Sequence, residues 1–493
     1  MSSKTRKAKN IMVQGTMSNA GKSLIAAALC RIFTQDGLSA APFKSQNMAL
    51  NSYITSNGLE MGRAQVVQAQ AAGIEPDVRM NPILLKPTTD VGSQVIVNGR
   101  PVANMAAMEY YRRKKELLPV VMDAYESLAS EYDIIVIEGA GSPVEINLRS
   151  NDIVNMGLAE MVDSPVLLAG DIDRGGVFAQ LYGTVALLQE EERRLLKGLV
   201  INKFRGDYDI LHPGLKEIED LCKVPVAGVI PYLRVDIDDE DSLTQRFSST
   251  KERRELDIAV IRLPRISNFT DFSPFEGYDQ VSLRYIGSVS ELGDPDIIIL
   301  PGTKSTMADL EWMRKNGLEA AVLKKARKGI IIFGICGGFQ MLGSRISDPE
   351  RTEAAPGMPE MIAGLGLLDM ETVFSADKRQ TRIQGRFTDI EGILSGLNGL
   401  EYEGYEIHMG KSITDRVFGP VLCRNNVYGT YVHGIFDAPG IVKTILEAVS
   451  SKKSTNLDIS EFKDMKSYRN SQYNILADAV RKGLDMDYIY SII

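Results

Sequence analysis

Two short stretches combine reactive residue types with the glycines that let a substrate approach them. The first is IIIFGICGGFQML, residues 330–342. An apolar strand enters Gly334, turns at Cys336 and leaves through Gly337 and Gly338 into a helix. A nucleophile on such a turn is exposed and lies close to backbone N–H groups. A sulfur nucleophile needs a base, and the chain has three histidines, at 212, 408 and 433. His433 lies downstream in YGTYVHGIFD, on an aromatic strand ending in Gly434, which suits a Cys–His couple assembled by the fold. His212 precedes Pro213 and reads as a solvated loop residue; His408, in GYEIHMG, reads as structural. PGTKS (301–305) follows the apolar run IIIL, so backbone N–H groups at Gly302 and Gly338 are expected to form an oxyanion hole.

The second stretch is IMVQGTMSNAGKSLIAAAL, residues 11–29. A strand runs into a loop bounded by Gly15-Thr16 and Gly21-Lys22-Ser23, then into an Ala-rich helix. Such a loop turns its N–H groups toward phosphate oxygens, Lys22 reaches the terminal phosphates and the Ser23 hydroxyl ligates Mg²⁺. Glu138, at the end of IIVIEGAG (134–141), is the expected acidic partner of that Mg²⁺. Asp171 and Arg174 in GDIDRGG (170–176) are expected near metal, phosphate or a substrate carboxylate. Asn202 closes LVINKFRGD (199–207), where a side-chain amide either reads an adenine edge or forms a turn.

These residues need strands to hold them. Short Ile- and Val-rich runs recur at 11–13, 134–137, 166–169, 199–201, 258–261, 297–300 and 330–333. Each ends in Gly, Asp or a polar turn, as strands buried on both faces of a parallel sheet do. Helical patterns at 21–34, 117–130 and 307–328 alternate with them. The expected class is α/β, with sites at the carboxyl ends of the strands. The charged run at 233–256 separates residues 1–232, a nucleotide-binding domain, from 257–493, a domain carrying the thiol. The segment 347–359 reads as an exposed loop, and the tail after 450 as a polar helix.

Composition narrows the functions. With 493 residues, 44% hydrophobic and 24% charged, the chain has the make-up of an ordinary globular protein. Its net charge of −8 argues against a general nucleic-acid binder. The four cysteines, at 30, 222, 336 and 423, have neither CxxC nor zinc-site spacing. Their free thiols, the lack of a signal-like N-terminus and the lack of a long apolar run point to the cytoplasm and away from membranes. A homo-oligomer is compatible with this reading.

The loop form Gly15-Thr16 through Gly21-Lys22-Ser23 resembles dethiobiotin-synthetase-like ATPases, which activate a carboxylate by phosphorylation. The elbow at Cys336, the PG turn and His433 resemble class I glutamine amidotransferases, in which the Cys attacks the glutamine amide and frees ammonia. That family places Glu two residues after the His. Here Ile435 stands there, leaving Asp437 and Glu406 as candidates to orient the ring. FKSQNMALNS (43–52), PILLKP (82–87), GSQVIVNG (92–99), EGAGSPVEINL (138–148), DIVNMGLA (152–159), GDIDRGGVFA (170–179) and ISNFTDF (266–272) make nearly the whole chain similar to the cobyric acid synthase family. The resemblance implies ATP- and glutamine-dependent amidation, with Mg²⁺, of the b, d, e and g carboxylates of adenosylcobyrinic acid a,c-diamide, a corrinoid. It also implies Lys44, with Gln46 and Asn47, on the face presented to ATP and substrate, and Lys86 as a partner for substrate carboxylates. Two alternatives stay open: a cobyrinic acid a,c-diamide synthase or related amidoligase, and a ParA-like ATPase switch carrying an inert amidotransferase-like module.

Overall fold

The computed structural model describes residues 8–89, 92–238, 247, 253–353, 357–416, 418–454 and 465–493. In the front half the apolar runs become one six-stranded parallel sheet. Its strands are β1 (Lys9–Gly15), β2 (Ala40–Phe43), β3 (Ile134–Glu138), β4 (Val166–Asp171), β5 (Leu196–Phe204) and β6 (Val226–Pro231), in the order β6-β5-β4-β1-β3-β2. Every pairing is parallel. β1 therefore lies between β3 and β4, so the loops leaving these three strands share one end of the sheet, where ligands bind in such folds. Helix α1 (Lys22–Gln35) buries its run of alanines against this sheet. Small side chains there allow helix and strands to approach closely. A four-stranded sheet (Gln46–Met48, Ile83–Thr89, Gly92–Val97, Arg100–Ala106) and helix α2 (Arg63–Ala71) are inserted between β2 and β3.

The rear half repeats the principle. β7 (Leu256–Ile261), β8 (Val281–Ile286), β9 (Ile297–Leu300) and β10 (Ile331–Ile335) pair in parallel. β11 (Glu371–Arg386) and β12 (Glu401–Ile413) form a long antiparallel ribbon above them. β13 (Leu422–Arg424) and β14 (Val427–Thr430) complete the parallel sheet, in the order β8-β7-β9-β10-β14-β13, β13 running antiparallel.

Three sequence expectations change. The helical pattern at 307–328 is two helices, Thr306–Lys315 and Leu318–Arg327, because Gly317 between them takes φ 75°. His212 lies within the helix Tyr208–Cys222, not in a loop. The end of the chain does not belong to the rear domain. Helices α3 (Met465–Gly483) and α4 (Met486–Ile492) pack on the front half, where Tyr473, Leu476, Ala477, Val480 and Ile489 share a core with Ile11, Val13, Ile25 and Leu29. Arg481 pairs with Asp36, and Asp485 N–H donates to the Ala227 carbonyl. The tail's apolar residues recur at i, i+3 and i+4, which gives a polar-looking helix one buried face. Of the run 233–256, residues 239–246 and 248–252 lie outside the described residues, as do 354–356 of the loop at 347–359. Among the described residues no helix is long and apolar enough to cross a membrane.

Candidate functional site

The front site is built around one buried carboxylate. β3 ends at Glu138, which is fully buried. Ser23 Oγ donates to Glu138 Oε1 at 2.7 Å, and Lys44 Nζ reaches the same oxygen at 2.9 Å. Gln65 Nε2 and Gln68 Nε2 donate to the other oxygen at 3.2 and 2.5 Å. Both amides come from α2, one turn apart, so they face the same way. The sequence reading missed them, because only the packing of α2 brings them to Glu138. Gln68 Oε1 is buried with no hydrogen-bond partner among the described residues. Asn47 Nδ2 donates to Gln65 Oε1 at 3.1 Å, one step behind Glu138, and Gln46 Oε1 accepts from the Tyr110 hydroxyl at 2.6 Å.

The loop from Gly15 to Gly21 wraps over this group. Gly21 caps α1 at φ 99°. A Cβ on Gly15 would lie 3.1 Å from Lys22 Cγ, so the lysine stem runs directly over it. Lys22 Nζ donates to the Met17 and Gly141 carbonyls at 3.1 and 3.0 Å. Thr16 turns its hydroxyl away, donating to Gln180 Oε1 at 3.0 Å. Asn202 is not a turn former. It stands inside β5, its Nδ2 donates to the Ala20 carbonyl at 2.8 Å, and it packs where a Gly21 side chain would be, so it buttresses the loop. Asp171 is fully buried and receives Lys203 Nζ at 2.7 Å, which also donates to the Asn19 carbonyl at 2.6 Å. Arg174 lies 3.7 Å from Asp171 and is half exposed.

Mg²⁺ keeps several waters and binds one or two protein oxygens plus phosphates. Ser23 and Glu138 supply that donor set beside the phosphate loop, and the unpartnered Gln68 oxygen adds a further hard donor. Among the described residues no group of three His, Cys, Asp or Glu side chains could hold an ion alone. The residues fit an ion shared with a nucleotide.

In the rear half Cys336 links β10 to the helix Gly337–Leu342 and sits at φ 50°, ψ −107°. That sparsely populated conformation turns the sulfur into a pocket shared with His433. Its backbone N–H is held by the Thr430 carbonyl, and its sulfur lies 3.5 Å from the Ile407 carbonyl. His433 Nδ1 meets Asp271 Oδ2 at 2.7 Å, and Asp271 Oδ1 accepts the Gly434 N–H at 3.0 Å. Burial alone disfavours charge on this imidazole, but the Asp271 carboxylate and Cys336 outweigh it and push the His433 pKa up to about 10. The orienting acid is thus Asp271, from the ISNFTDF segment. The sequence candidates are occupied elsewhere: Asp437 by Arg469 at 3.0 Å, and Glu406 by Arg379.

Three further expectations change. Gly338 N–H donates to the Pro301 carbonyl at 3.0 Å and is not turned to the sulfur. The neighbouring Gly337 N–H makes no backbone hydrogen bond among the described residues, and Gly302 lies against the His433 ring. His408 lines the thiol pocket, stacked on Tyr431 with ring centres 3.7 Å apart. Lys86, expected to meet substrate carboxylates, also lines that pocket and pairs with Glu60.

Residues 11–244 match the CobQ/CobB/MinD/ParA nucleotide binding domain, and residues 257–441 the CobB/CobQ-like glutamine amidotransferase domain. A cobyric acid synthase from Ruminiclostridium cellulolyticum is 57% identical over 99% of this chain and 97% of its own length. The chain belongs to the cobyric acid synthase family. Other cobyric acid synthases, from Lachnoclostridium phytofermentans and Alkaliphilus metalliredigens, are 56% and 50% identical, each over 98% of this chain and 99% of its own length. In this member of the cobyric acid synthase family a nucleotide-binding half and an amidotransferase half are read from one chain.

Proposed function

We propose that this chain is a cytoplasmic, glutamine-hydrolysing, ATP-dependent amidoligase that amidates the b, d, e and g carboxylates of adenosylcobyrinic acid a,c-diamide in cobalamin biosynthesis. The reading is carried by the presence, in one chain, of a Cys336–His433–Asp271 pocket and a phosphate loop closed over Glu138. The near-full-length likeness to cobyric acid synthases supports the corrinoid as substrate.

The chemistry follows from the two groups. Cys336 sulfur attacks the glutamine carboxamide carbon, and backbone N–H groups at Gly302 and Gly337 hold the oxygen that gains charge. The His433 imidazolium, fixed through Nδ1 by Asp271, gives its proton to the departing nitrogen, and ammonia leaves. Water then breaks the thioester to glutamate, with His433 as base. In the front half Lys22 and the loop N–H groups hold the ATP phosphates while a substrate carboxylate oxygen attacks the γ-phosphorus and ADP departs. Mg²⁺, held by Ser23 and Glu138, would neutralise charge on the transferred phosphoryl group. Ammonia attacks the acyl phosphate carbon, and phosphate leaves an amide. Lys44, beside Glu138, balances its charge, and Gln46, Asn47, Asp171 and Arg174 are the candidate substrate contacts, with Asn47 and Asp171 buried behind Gln65 and Lys203.

The test is incubation with ATP, adenosylcobyrinic acid a,c-diamide and glutamine labelled with ¹⁵N at its amide. Four labelled amides per corrinoid, counted by mass, are expected. Product formed only when cobyrinic acid replaces the a,c-diamide in a parallel incubation, with two labelled amides, would instead mark an a,c-diamide synthase. No label in any corrinoid, with ATP still hydrolysed, would leave the ATPase switch.

A further inference from the structure

The pocket around Cys336 is walled partly by the other half of the molecule. Lys86, on the front-half strand Ile83–Thr89, lines it together with Lys304, Glu353 and Lys378 of the rear half. Lys86 Nζ donates to Glu60 Oε1 at 2.8 Å and to Ser52 Oγ at 2.9 Å. From the other side Lys378 Nζ and Gln380 Nε2 donate to Glu60 Oε2 at 2.6 and 2.9 Å. Glu60 is fully buried, and these two lysines hold it well below the carboxylate range despite that burial. The pair of lysines therefore answers Glu60 and leaves excess positive charge in the wall.

Lys304 and Glu353 feel each other's charge, yet neither has an ion-pair contact among the described residues. Lys304 Nζ has only the Gln94 amide oxygen, at 3.4 Å, and no carboxylate within ion-pair distance among the described residues. Burial, then Lys378 and Lys86, push its pKa down and outweigh the opposing pull of Glu353 and Glu60. Glu353 Oε1 accepts the Thr306 N–H at 2.6 Å, but Oε2 is buried with no hydrogen-bond partner among the described residues, and burial pushes the carboxyl pKa up. A buried charge without a hydrogen-bonded counter-charge is costly. A ligand carrying both an anion and a cation would give each its partner at once.

We propose that this wall reads the zwitterionic end of the amino-acid donor: Lys304, with Lys86 and Lys378 behind it, takes the α-carboxylate, and Glu353 Oε2 takes the α-ammonium. The donor site is then shared between the two halves, and glutamine is held for cleavage only when the front half is in place. This rests on the reading of Cys336 as the glutamine-cleaving nucleophile and adds the residues that select the donor.

The experiment measures glutamate-type product release by the full chain with three donors: L-glutamine, glutaramic acid (no α-amine) and L-glutamine α-amide (no α-carboxylate). The unaltered chain should favour glutamine over both. A hydrogen bond to a charged group is worth about 1.5–3 kcal/mol, or roughly tenfold to hundredfold in KM. Glu353→Gln should raise the KM for glutamine by that factor and erase the penalty for the missing amine, leaving the penalty for the missing carboxylate. Lys304→Met should do the reverse, and Lys304→Arg should restore part of the affinity. Lys86→Met should raise the KM for glutamine although it lies outside the amidotransferase half, with rescue by Lys86→Arg. The selective loss of one penalty cannot come from misfolding, which would weaken every donor alike. Unchanged penalties in both rear-half variants overturn the proposal. An unchanged KM in Lys86→Met overturns the shared site. If the unaltered chain releases no glutamate at all, it is the reading of Cys336 that fails.

Discussion

Both halves place their chemistry where a buried parallel strand turns into a helix, yet they solve that turn with different residues. In the front half Gly21 takes φ 99°, a conformation that costs glycine little. The loop only has to present N–H groups, so no side chain is needed there. In the rear half Cys336 takes φ 50° with ψ −107°, and holding a side chain there costs about 1–3 kcal/mol. The strain is retained because that side chain is the reagent. The buried acids differ in the same sense. Glu138 is surrounded by a hydroxyl, an ammonium and two amides, all exchangeable when ligands arrive. Asp271 is locked to one imidazole and one backbone N–H. One site is arranged to rearrange around what binds; the other is fixed before anything binds.

That contrast can be broken most severely at the sulfur. Cys336→Ala should abolish glutamine-driven amidation, by a factor on the order of 10³ or more, while amidation driven by high ammonium continues. Equal loss with both nitrogen sources, read by mass of the corrinoid product, would erase the division of labour. Asp271→Asn should lower glutamine cleavage by roughly 10²–10⁴, since the ring loses its orienting charge. It also carries a pH signature. The folded pKa of His433 is raised from 6.5 to about 10. Its contribution to stability is therefore fully present below pH 6.5 and lost as pH rises through about 10. Denaturant titrations across that window should show the decline in the unaltered chain and a flatter profile in Asp271→Asn. Lys22→Ala should reduce amidation with either nitrogen source by roughly 10²–10³ while glutamate release continues. Synthesis at the normal rate would remove Lys22 from the phosphate cradle. The smallest effect compares two variants at one position: Cys336→Gly should be more stable than Cys336→Ala by about 1 kcal/mol, the reverse of the usual order, by urea unfolding.

The parts that chemistry confines to one short segment were readable from the sequence. The strand–loop–helix around Lys22 and Ser23, the elbow at Cys336, Glu138 and His433 each announce themselves within ten residues. What escaped depends on contacts made across the fold. Asp271 meets a histidine 162 positions later, and its own neighbours name no role. Gln65 and Gln68 acquire meaning only once α2 lies over β3. Lys86 was expected to meet substrate carboxylates, yet the inserted sheet carries it to the wall of the thiol pocket. The tail looked polar because a helix that buries one narrow face keeps most of its residues in water.

The packing of α3 and α4 on the front sheet makes the rear domain an insertion within the front one. Biosynthesis must respect that order. The first domain to leave the ribosome is the last to be completed, since part of its core is encoded after residue 464. At about 5–20 residues per second, roughly 10–50 s separate its sixth sheet strand from its final helices. The thiol domain is synthesised during that interval and becomes whole only at its end, while the nucleotide domain exposes the apolar flank that the last helices will cover.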